Sequence, residues 1–358
     1  MERYLSNYAD YPDKDQLLQS IEEAVPAEYL PVLEKVCFCM ITPDAMLQGD
    51  WSNILRYLDE KGFRFLGCQI KQHFREWEKE EVYRYNLNEG HATWWFNKEV
   101  FSLGPSLGLL VYREDGANVF EEIHKLKGDA NPRKASRETI RGRFKAVNTA
   151  MNIFHSSDDP VASYREARVF FTPEEINRHL KYFTEGKHIT WEYIYTLIKT
   201  DATCAAIPIQ ELSPYPVFAK IKIAVLQRLL RSTLIRDDED MVRTLQQMES
   251  LYQRIGELRI YGSQELPAVD LQDEIAILEE LMQKFDGEPL PLNDFPKARE
   301  ILETQQLILA SLELSHYERM GQIPFEKIWE SLLVCDVIMT PKEKLLLETG
   351  YTYGFFYV

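Results

Sequence analysis

One histidine, His155, lies in a stretch of residues that could do chemistry on a phosphate group. Apolar Ile153 and Phe154 precede it, and Ser-Ser-Asp-Asp-Pro follows it, ending at Pro160. Asp or Ser can cap a helix that has a proline in its first turn, so we expect His155 at a strand end that faces a helix start. Helix-start amides and the nearby Arg141 both favour an anion, and a neutral imidazole can attack phosphorus. The alternative is a hydrogen-bonded structural histidine.

Four sequence features accompany this histidine. They are Thr-Ile-Arg-Gly at 139–142, Asn-Ile-Phe-His-Ser-Ser-Asp at 152–158, Glu166, and Phe-Thr-Pro-Glu-Glu at 171–175. Together they resemble the signature of the nucleoside diphosphate kinase family, which reads Thr-Ile-Arg-Gly, Asn-x-x-His-Gly-Ser-Asp and a helical glutamate beyond the histidine. The resemblance covers roughly residues 34–177.

By this resemblance, His155 is the nucleophile that carries the phosphate and Glu166 orients its imidazole. The matching positions imply four contacts with the nucleotide: Arg141, Asn152, Ser157 and Asp158. The resemblance also implies that Mg²⁺ accompanies the nucleotide phosphates. No residue of the chain is assigned as a metal ligand.

Three further nucleotide-binding positions depart from the family pattern, and all three are phosphate contacts in the family. Thr42 replaces a lysine, His124 an arginine and Ala130 a threonine. A threonine supplies only a neutral hydrogen bond, and a histidine is a less reliable cation than an arginine. Either other cations rebuild the phosphate clamp, or nucleotide binding persists while turnover is weak. The candidates for a rebuilt clamp are Arg133, Lys134, Arg137 and Arg143.

Residues 71–103 are rich in aromatic and charged side chains, where the family has a helical hairpin that clamps the nucleobase. Tyr85 and Phe96 are the candidates for stacking on the base. Packing in the protein core is the alternative for both residues.

The order of elements indicates how these residues are positioned. Residues 36–41 form a continuous apolar run that suits a buried strand, 51–60 have a helical pattern, and 63–70 form a second strand pattern. The family resemblance implies a ferredoxin-like β-α-β-β-α-β sheet with helices on one face, so the predicted fold class is α+β. We expect the nucleotide cleft between the strand of His155 and the helical hairpin.

The chain is predicted to have three parts. Residues 1–33 contain an amphipathic helical arm, residues 34–181 are the kinase-like domain, and residues 182–358 show helical patterns alone. The last part has enough apolar positions to bury its own core, so we expect an all-α helical domain. Its role and its protein partner, if it has one, are not evident from the pattern.

Composition limits the class of protein and its partners. The 358 residues carry a formal net charge of −16, which opposes nonspecific binding to nucleic acid or an anionic membrane. No segment reaches membrane-spanning length, and the N-terminus lacks the apolar core of a signal peptide, so we expect a cytoplasmic protein. The five cysteines are an odd number and lack paired metal-type spacing, so they are interpreted as reduced core residues.

These observations favour a phosphotransferase that moves the γ-phosphate of a nucleoside triphosphate to a nucleoside diphosphate through phosphorylated His155. The altered positions Thr42, His124 and Ala130 favour the alternative, a catalytically weak or inactive nucleotide sensor with the helical domain as its output. The family forms hexamers or tetramers, and an appended domain could block those contacts. A homo-oligomer is therefore left open.

Overall fold

The computed structural model describes residues 13–84, 95–206, 208–232, 235, 237–259, 262, 264, 268–287, 303–305 and 324–353. The chain divides into two compact units, Met1–Glu211 and Leu212–Val358. The first unit contains a sheet with helices, and the described elements of the second are helices. The predicted α+β fold followed by an all-α region is confirmed.

The sheet of the first unit has four antiparallel strands in the order β2-β3-β1-β4. The strands are β1 (Cys37–Ile41), β2 (Phe63–Lys71), β3 (Ser106–Arg113) and β4 (Phe154–Ser156). This order and the intervening helices give the predicted ferredoxin-like arrangement. His155 pairs with Met40 on β1, and β4 is an edge strand, so the histidine lies at an open border of the sheet.

Eleven α-helices are described in the first unit, together with a 3-10 helix at Ala27–Lys35. They are α1 (Lys14–Ala24), α2 (Pro43–Gln48), α3 (Trp51–Glu60), α4 (Glu76–Val82), α5 (Trp95–Phe101), α6 (Val119–Lys127), α7 (Ile140–Arg143), α8 (Pro160–Ala167), α9 (Pro173–Thr184), α10 (Trp191–Thr200) and α11 (Ala202–Ala205).

Helices cover both faces of this sheet, so the expectation of helices on one face was wrong. Every residue of β1 is buried, and its side chains alternate between two apolar cores. Cys37, Cys39 and Ile41 join the core of α3 and α6, whereas Phe38 and Met40 join the core of α1, α8 and α9. A strand that is buried on both faces reads as a continuous apolar run, as residues 36–41 do.

The contact-based boundary lies later in the chain than residue 181. Ile194 and Ile198 of α10 are buried in the same core as Ile54 and Phe65, and Ile189 N–H donates to Phe65 O at 2.8 Å. These contacts place α10 in the first unit. Independent folding of residues 182–358 stays a prediction.

The helices described in the second unit are α12 (Pro214–Leu230), α13 (Glu239–Gly256), α14 (Ala268–Gly287), α15 (Phe325–Val334) and α16 (Pro341–Tyr353). Its core contains a buried lysine, Lys222, whose Nζ lies 5.3 and 5.5 Å from the ring centres of Phe218 and Tyr252. Within the predicted helical part, residues 297–320 lie outside the described residues apart from 303–305. Within the described ranges, we find no helix of the length and apolarity that a membrane crossing needs.

Candidate active site

A buried carboxylate, that of Glu166, contacts three side chains, one of which is His155. His155 Nε2 lies 2.7 Å from Glu166 Oε2, and the Ser157 hydroxyl donates to the same oxygen at 2.6 Å. Arg165 Nη2 donates to the other oxygen, Oε1, at 2.9 Å. An ionised carboxylate only accepts hydrogen bonds, so Nε2 carries the proton and Nδ1 of the neutral ring keeps its lone pair.

These contacts decide the ionisation of Glu166. Burial opposes the charged form, but the charge and hydrogen bond of His155, together with Arg165 and Ser157, lower the pKa of Glu166 below its ordinary value. The carboxylate is therefore ionised at neutral pH. It can hold the imidazole in one tautomer and stabilise positive charge on the ring.

Helix α8 brings Glu166 to the histidine. The Asp159 side chain accepts from the N–H groups of Val161 and Ala162, and Pro160 occupies the first turn, so the predicted capped start at Pro160 is confirmed. Glu166 follows in the last turn of α8, and this helix packs against β1, the strand that pairs with β4.

A strained residue fixes the approach to β4. Ile153 has φ of 64°, which is an outlier for a β-branched side chain. Its N–H donates to Asp44 Oδ2 at 2.9 Å, its carbonyl accepts from Thr42 N–H at 3.2 Å, and Phe154 N–H donates to Asn152 O at 2.8 Å. These bonds stabilise a backbone conformation of Ile153 that costs on the order of 1–3 kcal/mol. The chain then enters β4, which carries His155.

The buried Asp44 carboxylate also binds the side chain of Thr42. The Thr42 hydroxyl donates to Asp44 Oδ1 at 2.5 Å, so this residue supports the turn at Ile153. Burial raises the pKa of Asp44 against the hydrogen bonds that favour its charged form. The Thr42 hydroxyl is thus used in a hydrogen bond that supports the turn before β4.

Arg141 crosses behind β4. Its guanidinium donates to Gly128 O at 3.1 Å and to Phe154 O at 2.9 Å, and burial lowers its pKa to about 10, which leaves it charged at neutral pH. The Thr-Ile-Arg-Gly motif forms α7, whose Gly142 N–H donates to the Thr139 hydroxyl at 3.3 Å. The motif therefore anchors an arginine beside the residue that precedes His155.

A second buried cation, Lys127, lies at the same edge. Its ammonium donates to Ser156 O at 3.3 Å and is 3.8 Å from Asp158 Oδ1, and its side chain is 10% exposed. Burial, together with the charge of Arg141, lowers the pKa of Lys127. Lys127 was not predicted from the sequence, because a lysine in the last turn of an amphipathic helix is ordinarily solvated and its burial depends on packing against β4.

The remaining predicted residues surround this centre. Asn152 is half-buried and donates to Thr149 O at 2.8 Å, whereas Asp158, His124 and Ala130 are exposed. Among the clamp candidates, Arg143 lies over the Tyr57 ring at 4.8 Å, and Lys134 and Arg137 are exposed. Tyr85 and the side chain of Phe96 lie outside the described residues.

Two other residues near His155 were not singled out from the sequence. The Tyr83 ring meets the imidazole edge-on, with centres 5.6 Å apart. Arg165 precedes Glu166 directly, and adjacent helix residues do not ordinarily face each other, so spacing gave no reason to pair them.

Comparisons with known proteins identify the family of the segment that contains this site. Residues 35–176 match the family model for nucleoside diphosphate kinase. The nucleoside diphosphate kinase of Herpetosiphon aurantiacus is 32% identical over 139 residues, which cover 39% of this chain and 89% of that protein. That of Methanobrevibacter smithii is 32% identical over 141 residues, which cover 39% of this chain and 88% of that protein. The chain therefore belongs to the nucleoside diphosphate kinase family through this segment.

Among solved structures, the nucleoside diphosphate kinase of Halobacterium salinarum in complex with CDP is 25% identical to this chain. The match has a TM-score of 0.36 and covers 40% of this chain and 90% of that one.

Gly142 gives a test of how α7 positions Arg141. A Cβ at this position would lie 2.2 Å from Ser136 O and 2.7 Å from Ala135 O, and both are backbone atoms. We expect Gly142→Ala to destabilise the protein by about 1–3 kcal/mol in urea denaturation and to weaken ADP binding. Ser136→Ala keeps both carbonyls and should change neither. An unaltered urea midpoint in Gly142→Ala would contradict the close approach.

Proposed function

We propose that the first unit is a nucleoside diphosphate kinase-like phosphotransferase that moves the γ-phosphate of a nucleoside triphosphate to a nucleoside diphosphate through phosphorylated His155. The contact between His155 Nε2 and the ionised Glu166 carboxylate is the observation that carries this proposal. It leaves Nδ1 as the nucleophile, in a family whose members bear the name of this activity.

The reaction has two in-line transfers. The Nδ1 lone pair attacks the γ-phosphorus, the bond from phosphorus to the bridging oxygen breaks, and the nucleoside diphosphate leaves with that electron pair. The proton on Nε2 stays on the ring, where Glu166 stabilises the positive charge. A terminal oxygen of a second nucleoside diphosphate then attacks phosphorus, and the phosphorus–nitrogen bond breaks to restore neutral His155.

We assign Lys127 and Arg141 as the cations that face the transferring phosphate. Both are buried at the β4 edge, where they donate to backbone carbonyls: Lys127 to Ser156 O, and Arg141 to Gly128 O and Phe154 O. Lys127 also lies 3.8 Å from the exposed Asp158 carboxylate. A phosphate would supply the negative charge that stabilises a buried cation, and it could pair with both side chains. Lys127 would thereby take over the charge that Thr42 does not supply. Asn152, Ser157 and Asp158 are proposed to complete the nucleotide contacts.

The residues present fit a magnesium ion that arrives with the nucleotide. In the described part of the chain, no group of three His, Cys, Asp or Glu side chains is arranged to hold a metal. Mg²⁺ commonly binds through substrate phosphates, waters and one or two carboxylates, and the exposed Asp158 is a carboxylate at this site. When bound, the ion would offset charge on the phosphate oxygens.

The second candidate is a nucleotide sensor with the helical unit as output. It is favoured by the Thr42 hydroxyl, which is committed to Asp44, and by Ala130, which has no side-chain donor to offer a phosphate. The cytoplasmic location, a homo-oligomer and a protein partner of the helical unit stay predictions.

Phosphoenzyme formation separates the two candidates. With γ-labelled ATP we expect an acid-labile, base-stable label that His155→Ala abolishes while ADP affinity remains. Glu166→Gln should slow labelling about a hundredfold with little change in ADP affinity, because it removes the charge that stabilises the imidazolium. Glu174→Gln, an exposed glutamate on α9, is the matched control. Tight ADP binding without any label in the wild type would favour the sensor.

Lys127→Met tests whether Lys127 supplies the cation that Thr42 does not. We expect this variant to be more stable but less active. The lowered pKa shows that the folded state disfavours the charged lysine, so we expect the variant to be about 1 kcal/mol more stable at pH 7. That difference should close as the pH rises from the folded pKa towards 10.5, since the unfolded lysine then also loses its proton. Labelling by ATP should fall at least tenfold. An unchanged labelling rate would rule out a phosphate contact for Lys127.

A further inference from the structure

A cavity of about 240 Å³ lies between α1, α4 and α8, and it shares Arg165 with the contacts around Glu166 and His155. Its polar lining consists mainly of Glu81, Arg84, Arg165 and Arg168, and Trp77 and Tyr164 add aromatic surface. Helix α1 precedes the segment that matches the kinase family, so one wall comes from outside that match. We call this space the arginine cavity.

The arginine cavity contains one cation without an acidic partner. Arg84 pairs with Asp13 at 3.1 Å and with Glu81 at 3.5 Å, and Arg165 pairs with Glu166 at 2.9 Å. Arg168 donates to the Ser20 hydroxyl at 3.4 Å, and no carboxylate of the described residues lies within ion-pair distance of it. A single negative charge on a ligand would therefore find its partner at Arg168.

A second polar group here also lacks a partner. The Tyr164 hydroxyl is buried, and no hydrogen bond to it is formed by any atom in the described ranges. A buried hydroxyl without a partner costs free energy, and a ligand oxygen beside Arg168 could accept from it after a small shift of the ring. The charge and the donor thus line the same cavity, with Tyr164 on α8 and Arg168 directly after the last residue of that helix.

The rest of the lining favours an aromatic body for the ligand. The Trp77 indole is 54% exposed at the cavity, although large aromatic side chains usually bury most of their surface. Leu17 and Ile21 of α1 add apolar surface on another side. Pockets for drug-sized ligands measure about 300–1,000 Å³, so this smaller space suits a single ring.

We propose that the arginine cavity is a second ligand site, which binds a small aromatic monoanion such as an aromatic carboxylate. The anionic group pairs with Arg168 and accepts from Tyr164, and the ring packs against Trp77 and the apolar side of α1. This site is separate from nucleotide binding and does not depend on the proposed phosphotransfer.

The probes are benzoate, benzyl alcohol and inorganic phosphate, added to the full-length chain and followed by ligand-observed NMR. Benzoate should bind with a Kd on the order of 1 mM, which is ordinary for a ligand of this size. Benzyl alcohol has the ring without the charge, and inorganic phosphate has the charge without the ring. Both should bind at least fivefold more weakly.

Two variants and a matched control locate the benzoate. Arg168→Gln should weaken its binding about tenfold and Tyr164→Phe severalfold, whereas Arg178→Gln, an exposed arginine on α9, should leave it unchanged. Loss of binding in the Arg178 variant as well, equal binding of all three probes, or no benzoate binding at 10 mM each overturns the proposal.

ADP titrated into the same variants separates this site from the proposed function. Arg168→Gln should leave ADP affinity unchanged. Benzoate binding that depends on Arg168 in a protein that binds no ADP would support the cavity and remove the phosphotransferase. ADP binding together with benzoate binding that does not depend on Arg168 would remove the cavity proposal and leave the phosphotransferase proposal standing.

Discussion

The ionised, buried Glu166 carboxylate is the constraint on which the candidate site depends. A buried charge is tolerated only when hydrogen bonds and opposite charges compensate for its lost hydration. His155, Ser157 and Arg165 provide that compensation, and they do so from β4, from the loop that follows it and from α8. The same contacts that keep the carboxylate charged fix the imidazole tautomer, so the stability of the fold and the proposed chemistry rest on one set of bonds.

The scaffold beneath β4 serves the same end. Asp44 holds Ile153 in a left-handed conformation, and Arg141 and Lys127 bond to carbonyls on either side of His155. Strain at Ile153 and the buried charge of Lys127 both reduce stability. Costs of this kind concentrate where a site needs a particular geometry or charge. The proposed function gives both features a reason: an aimed nucleophile and a cation for the phosphate.

Part of this site could be predicted from local spacing, and the role of Glu166 from the family resemblance. A capped helix starting at Pro160 carries Glu166 back towards the strand of His155, and the structure brings the two into contact. Lys127, Arg165 and Tyr83 could not be predicted in this way, because their positions depend on which helix packs on which edge of the sheet. Lys127 lies at a helix end, Arg165 directly precedes Glu166, and Tyr83 lies in an aromatic-rich segment. None of these positions has a periodic pattern that would predict the packing. The expectation of one covered face failed for the same reason, although the apolar run at 36–41 was a sign that both faces of β1 are buried.

The site of phosphorylation on the imidazole tests the central claim most directly. Because Glu166 accepts from Nε2, the phosphate should form on Nδ1. After brief incubation with ATP and Mg²⁺, NMR of the ¹⁵N-histidine-labelled protein can assign the phosphorylated nitrogen from its coupling to ³¹P. The account predicts one phosphate on Nδ1 of His155. A phosphate on Nε2, or on another residue, would contradict it.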